Sequence, residues 1–152
     1  MEFIYFLDRV EIEILRIIEQ AGYSTEENTP LCLLSKNYVG FFKKKQKKII
    51  ICTDNAKERE GYTHLNKRNT DKYERTATHV KKALRHEAVH VAQECNNGEL
   101  LDIKKSLSIN PAKKTALKGS TKLSGEEGKE IQAYTLEDKP HSLKKELEKY
   151  CL

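Results

Sequence analysis

The sequence predicts an α+β fold in which a small sheet packs with a long central helix, a shorter later helix and flanking helices at both ends. Three observations carry that expectation. Residues 70–95 form an unbroken helix-favouring stretch that closes at Asn96-Asn97-Gly98. Two runs rich in β-branched and aromatic residues, Tyr38–Phe42 and Lys48–Thr53, flank a lysine-rich turn. Apolar residues recur at helical spacing near both ends of the chain, over 1–22 and 141–151. At 152 residues the chain suits one domain, spanning 1–152, with a real but modest core.

Taken in order, the first helix is expected from Phe3 to Ala21, with Val10, Ile14, Ile17 and Ala21 on one face and Gly22 as its stop. Ser24 to Pro30 reads as polar linker. The small sheet is expected over 31–53: a short strand at Leu31–Leu34, then the Tyr38–Phe42 and Lys48–Thr53 pair. Asp54 to Asn69 is polar and without periodicity. Thr70 or Asn69 can cap the central helix, Asp71 to Glu94, through a side-chain oxygen. Leu100 to Ser124 reads mostly as loop, broken by Asn110-Pro111 and Gly119-Ser120. A short helix over 125–139, ended by Pro140, and a final amphipathic helix from Ser142 to Tyr150 complete the chain.

The central helix carries the chemistry. Arg85-His86-Glu87-Ala88-Val89-His90 contains H-E-x-x-H, and residues four apart on a helix share a face. Two imidazoles so placed can hold one metal ion, with Glu87 beside the open coordination position. Zinc suits two imidazoles plus a carboxylate. A carboxylate next to metal-activated water is the equipment of a hydrolase. Leu84, Ala88, Val89 and Val91 make the surroundings apolar, and a carboxylate buried there needs a partner or a metal. The competing reading is a helix with two incidental histidines.

Ala83-Leu84-Arg85-His86-Glu87-Ala88-Val89-His90-Val91-Ala92 resembles the active-site helix of the zincin metallopeptidases. It departs from the metzincin branch, since Gln93 and Asn96 stand where that branch has Gly and a third His. About forty residues on, Glu130-Ile131-Gln132-Ala133-Tyr134 resembles the second motif of gluzincins, E-x-x-A or E-x-E-A. That resemblance implies Glu130 as the third metal ligand and Ala133 as the small residue that lets two helices approach. Glu126, Glu127 and Glu137 are expected to be solvated acids, with Glu127 the strongest rival to Glu130. Tyr134 stands where thermolysin-type gluzincins have an acid that orients a histidine, and Gln132 stands at the second Glu of E-x-E-A. Asp138 or a backbone carbonyl is left to accept from the other ring nitrogen of a ligand. The family also implies an edge strand above the metal that binds extended substrate by strand addition.

Of the remaining histidines, His79 lies two helical turns from His86, roughly 10 Å along the axis. It can flank a groove but cannot share the metal. His64 and His141 are weak alternatives. Tyr134, Tyr62 and His64 are the candidates for an oxyanion donor.

Composition bounds the rest. The net charge of +5 includes Lys43-Lys44-Lys45-Gln46-Lys47-Lys48, which reads better as a hairpin tip that discourages strand aggregation than as a nucleic-acid patch. No apolar run approaches the roughly 18 residues needed to span a bilayer. The first residues lack a basic region ahead of an apolar stretch, so a cytoplasmic location is expected. The four cysteines form no C-x-x-C pair and are expected as thiols, although Cys95 and Cys151 could meet. The functional expectation is a zinc hydrolase, most simply a peptidase acting on a peptide or protein. It would hold one Zn2+ per chain on His86, His90 and Glu130, with Glu87 as general base. A catalytically silent metal-binding or interaction module of zincin fold is the first alternative, and a basic nucleic-acid-binding protein the second.

Overall fold

The computed structural model describes residues 1–63, 70–103 and 126–152. Among them are five α-helices and a three-stranded mixed sheet. The helices are α1 (Arg9–Gln20), α2 (Thr53–Glu60), α3 (Asp71–Cys95), α4 (Glu127–Leu136) and α5 (Pro140–Cys151). The strands are β1 (Ser24–Glu27), β2 (Gly40–Lys43) and β3 (Lys48–Ile51). The fold is thus α+β, as the periodicities predict.

The sheet order is β1-β3-β2, with β1 parallel and β2 antiparallel to β3. Ile49, Ile50 and Ile51 are all buried because both faces of the sheet are covered. One face, with Phe42, Ile49 and Ile51, joins the main core of α1, α3, α4 and α5. The other, with Phe41 and Ile50, packs on Cys32 and Cys52. Such a strand has no polar side and reads as a continuous apolar run. Lysines at 44, 45 and 47 lie in the exposed β2–β3 turn, where Lys47 takes a positive φ.

Four sequence expectations change. The first helix is broken: a 3₁₀ turn at Glu2–Phe6 precedes α1, and Leu7 is extended. Asp8 has the dihedrals of an N-cap, and Glu11 reaches back to accept from its backbone N–H at 3.0 Å. This local capping outweighs the apolar periodicity that runs through it. Ser24–Glu27, read as linker, is a strand. Its polar side chains find partners, with Glu26 pairing with Lys48 and Glu27 accepting from the N–H groups of Glu2 and Phe3. Leu31–Leu34, read as a strand, is a 3₁₀ turn at Pro30–Leu34 with Pro at its first position.

The fourth change is α2, which lies where no periodicity was visible. It is anchored by Asn55, whose Nδ2 donates to the carbonyls of Cys32, Ser35 and Tyr38 at 2.8–3.2 Å. Gly61 closes it at φ +64, a left-handed cap that glycine adopts without a steric cost. The central helix runs as predicted, with Thr70 Oγ1 accepting from the N–H of Tyr73. The loop expected over 100–124 and the candidate His64 fall largely or wholly outside the described residues.

The cysteines also differ from expectation. All four are paired, Cys32 with Cys52 and Cys95 with Cys151. The first bridge ties the 3₁₀ turn to the end of β3, and the second ties the end of α3 to the end of α5. Such bridges persist in oxidising compartments and are atypical of the cytoplasm. No helix among the described residues is long and apolar enough to cross a membrane.

Candidate metal centre

Three elements meet at the motif. The α3 helix presents His86, Glu87 and His90 on its buried side, as four-residue spacing requires. Crossing it, α4 turns Glu130 inward, while Ala133 is fully buried at the helix contact. Strand β2 lies over α3 at Gly40. A Cβ there would come within 3.2 Å of Ala83 Cβ and of Glu87 Cγ and Oε1, so a side chain at position 40 would push on the motif helix.

The ligand-type atoms converge. His86 Nε2 lies 3.3 Å from Glu130 Oε1, and His90 Nε2 lies 2.7 Å from Glu130 Oε2. One ligand atom from each of His86, His90 and Glu130 lies within 4.8 Å of the other two, close enough to hold a metal ion. Glu130 is only 3 % exposed. Despite its nearness to His90, Oε2 of Glu130 finds no hydrogen-bond donor among the described residues. A buried carboxylate oxygen left so is costly, and a cation bound between it and the imidazoles would satisfy it. The donor set, two imidazoles and a carboxylate, fits zinc. Among the rivals, Glu126 and Glu127 are exposed.

Electrostatics in the metal-free chain follow from this crowding. Burial by itself would lower the His86 pKa, but Glu130 and Glu137 on its two ring nitrogens, with Glu87 nearby, raise it to about 10. Burial pushes Glu130 up, and the imidazoles of His86 and His90 more than offset this, holding it at about 2. Burial foremost, with the charges of Glu130 and Glu137, raises Glu87 above the ordinary carboxylate range despite the two imidazoles. A carboxylate with a raised pKa, set beside two histidines, is suited to carrying a proton.

The supports of the two histidines were not foreseen. His86 Nδ1 lies 3.0 Å from Glu137 Oε1, and a carboxylate only accepts, so Nδ1 carries a proton. Glu137, expected to be a solvated acid, is instead buried and paired with His86. Asp138, the acid proposed for that role, instead pairs with Lys82 at 3.6 Å. The signal was legible: Glu137 follows Glu130 by seven residues, which returns it to the same helix face. Tyr134 packs edge-on against the His86 ring, with centroids 4.5 Å apart. On the other side, His90 Nδ1 lies 2.9 Å from Gln93 Oε1.

Other candidates fall away from the centre. His79 pairs with Glu60 at 3.0 Å and does not line the cleft. His141 is exposed. Tyr62 sits in an aromatic cluster with Phe6 and Tyr73. Around the centre runs a cleft of about 330 Å³, walled by Tyr38, Gly40 and Phe42 on one side and by Lys129 and Glu130 on the other. Phe42 stacks on the His90 ring at 5.7 Å. Tyr38, a cleft residue with a phenol, was not singled out in the sequence because nothing there ties it to the motif.

The sequence matches the family described as Domain of unknown function (DUF8637) over residues 3–152. The chain belongs to that family. No curated protein and no solved structure matches it.

Proposed function

We propose that this member of the family is a zinc-dependent hydrolase, and that its reaction is peptide-bond cleavage. The observation that carries the reading is the buried convergence of His86, His90 and Glu130 with Glu87 beside them at a cleft. In this reading the three residues hold one zinc ion, which when bound supplies a Lewis acid that acidifies water and polarises a carbonyl. A fully closed structural site would use four protein ligands; here Glu87 stands ready for proton transfer instead. Its carboxylate takes a proton from the attacking water and delivers it to the departing amine nitrogen.

Strand β2 supports a peptide as substrate. Among the described residues it is the outer strand of the sheet, and the carbonyl of Val39 accepts from Cys52 N at 2.7 Å. Antiparallel alternation then turns the main-chain groups of Gly40 and Phe42 away from β3, toward the free edge. An extended peptide lying along that edge would pair with them and pass over Glu87. This arrangement favours the zincin-like reading of the fold. The two disulfides favour an oxidising compartment over the cytoplasmic one expected from the sequence.

The test pairs metal content with turnover. Purified protein should carry about one zinc per chain and cleave peptides in a mixed fluorogenic library. Glu87→Gln should keep the zinc and lose cleavage by about 100-fold or more. A Glu87→Gln variant as active as the parent would end the proposed mechanism. A zinc-loaded parent with no cleavage of any peptide would transfer the argument to a catalytically silent metal-binding module.

A further inference from the structure

Two buried glutamines link His90 to a main-chain anchor, and the direction of every hydrogen bond in that link can be deduced. Gln132 faces both peptide groups of Leu101. The N–H of Leu101 donates to Gln132 Oε1 at 3.0 Å, and Gln132 Nε2 donates to the carbonyl of Leu101 at 2.8 Å. A peptide N–H can only donate and a carbonyl can only accept, so the amide of Gln132 has one permitted orientation. Its Oε1 then accepts from Gln93 Nε2 at 3.0 Å, and the same nitrogen donates to the carbonyl of Lys129 at 3.1 Å. Turning the Gln93 amide over would set its oxygen against two acceptors in a site where Gln93 is 1 % exposed. Gln93 Oε1 must therefore face His90 Nδ1, at 2.9 Å, and can only accept from it.

We propose that Gln93 and Gln132 are positioning residues: they form a one-directional amide relay through which the Leu101 backbone holds the proton of His90 on Nδ1 and leaves Nε2 for the metal. The metal half of this statement rests on the zinc reading above; the proton half does not. Neither glutamine belongs to the metal cluster, and Gln132 acts on His90 only through Gln93. Neutral amides also do this without adding charge, whereas His86 is oriented by a carboxylate. Supports of this kind are worth about 10- to 100-fold in metal affinity.

The experiment is long-range 1H–15N NMR of the histidine rings, run on metal-free and zinc-loaded full chain, with zinc affinity measured by competition against a chelator. The parent should show a His90 Nδ1 proton protected from exchange in both states. Gln132→Met fills the same space without a polar group, so it should lose that protection and weaken zinc about 10- to 100-fold. Should Gln132→Met fail to fold, Gln93→Met provides a second break, one link nearer His90, with the same expected loss. An unprotected Nδ1 in the parent, or a folded Gln132→Met indistinguishable from it, would overturn the relay. If the parent binds no zinc, the metal reading fails, and the NMR comparison in metal-free protein still decides the relay.

Discussion

The two histidines of the motif are one helical turn apart yet are held by opposite kinds of chemistry. His86 stands in a charged half. Glu137 accepts a hydrogen bond from its Nδ1, and Arg85 next to it donates from Nε to the Glu137 carbonyl and from Nη1 to Glu11 at 2.9 Å. His90 stands in a neutral half built from Gln93, Gln132 and the Leu101 peptide. The charged half is tied to α1 by the pair of half-buried Arg85 with buried Glu11, whereas the neutral half ends two residues before Cys95, whose disulfide joins α3 to α5. The contrast teaches that four-residue spacing specifies where two ligand nitrogens lie but not what orients them. Charge on one side raises the basicity of a ligand, while amides on the other set direction without drawing in further ions.

Removing both histidines should erase the comparison altogether. A His86→Ala, His90→Ala double variant should fall from about one zinc per chain to none, read by native mass spectrometry or elemental analysis. Full occupancy in that variant would show that the metal sits elsewhere.

The covalent and ionic anchors come next. Cys95 and Cys151 are separated by 56 residues, and a bridge closing a loop of that length is worth ~4 kcal/mol in the chain-entropy picture. A thiol assay on native protein should find no free cysteine, and Cys95→Ala with Cys151→Ala should lower unfolding stability by a large part of that amount. On the charged half, Glu11→Leu leaves half-buried Arg85 beside no carboxylate from α1, and should cost up to about 3 kcal/mol in denaturant melts. If stability is unchanged, the charged half does not depend on α1.

Replacing Glu137 sharpens the comparison within the site. Glu137→Leu removes both charge and acceptor, and should weaken zinc binding toward the upper end of the roughly 10- to 100-fold range for such supports. Glu137→Gln keeps an acceptor and should lie nearer the lower end. Equal losses would mean that charge contributes nothing beyond the hydrogen bond.

The smallest effect is in pH. In the metal-free chain His86 is raised from 6.5 to about 10. A raised folded-state pKa means the folded chain holds this proton more tightly than the unfolded chain. The resulting stability is complete below about pH 6.5 and lost as pH rises through about 10. Zinc must displace the same proton, so its apparent affinity should rise by up to about tenfold per pH unit within that window. Calorimetry in buffers of different ionisation enthalpy should register the released proton. A pH-independent affinity would remove His86 from the ligand set.

Helical spacing and residue type made much of this molecule legible. The long helix, its Thr70 cap, the lysine-tipped β2–β3 hairpin and the later helix bearing Glu130 all follow from local patterns, because capping, turn chemistry and apolar period act within a few residues. The elements that were misread lack such a local signal. Ser24–Glu27 is polar throughout and becomes a strand only because β3 offers it a partner. Thr53–Glu60 has no apolar stripe and is held by Asn55 reaching back to three distant carbonyls.

What the sequence determined by itself was the chemical vocabulary: two imidazoles on one helix face, a carboxylate between them, and a later acid followed by a small residue. What the tertiary structure decided was which groups stand behind that vocabulary. Glu137 rather than Asp138 reaches His86, because seven residues return to one helix face while eight overshoot it. Gln93 and Gln132 find Leu101, and Gly40 brings an edge strand against Glu87, through contacts between elements far apart in the chain. Hydrogen bonds and close packing act over a few ångströms in space whatever the separation in sequence, so only the fold could select these partners.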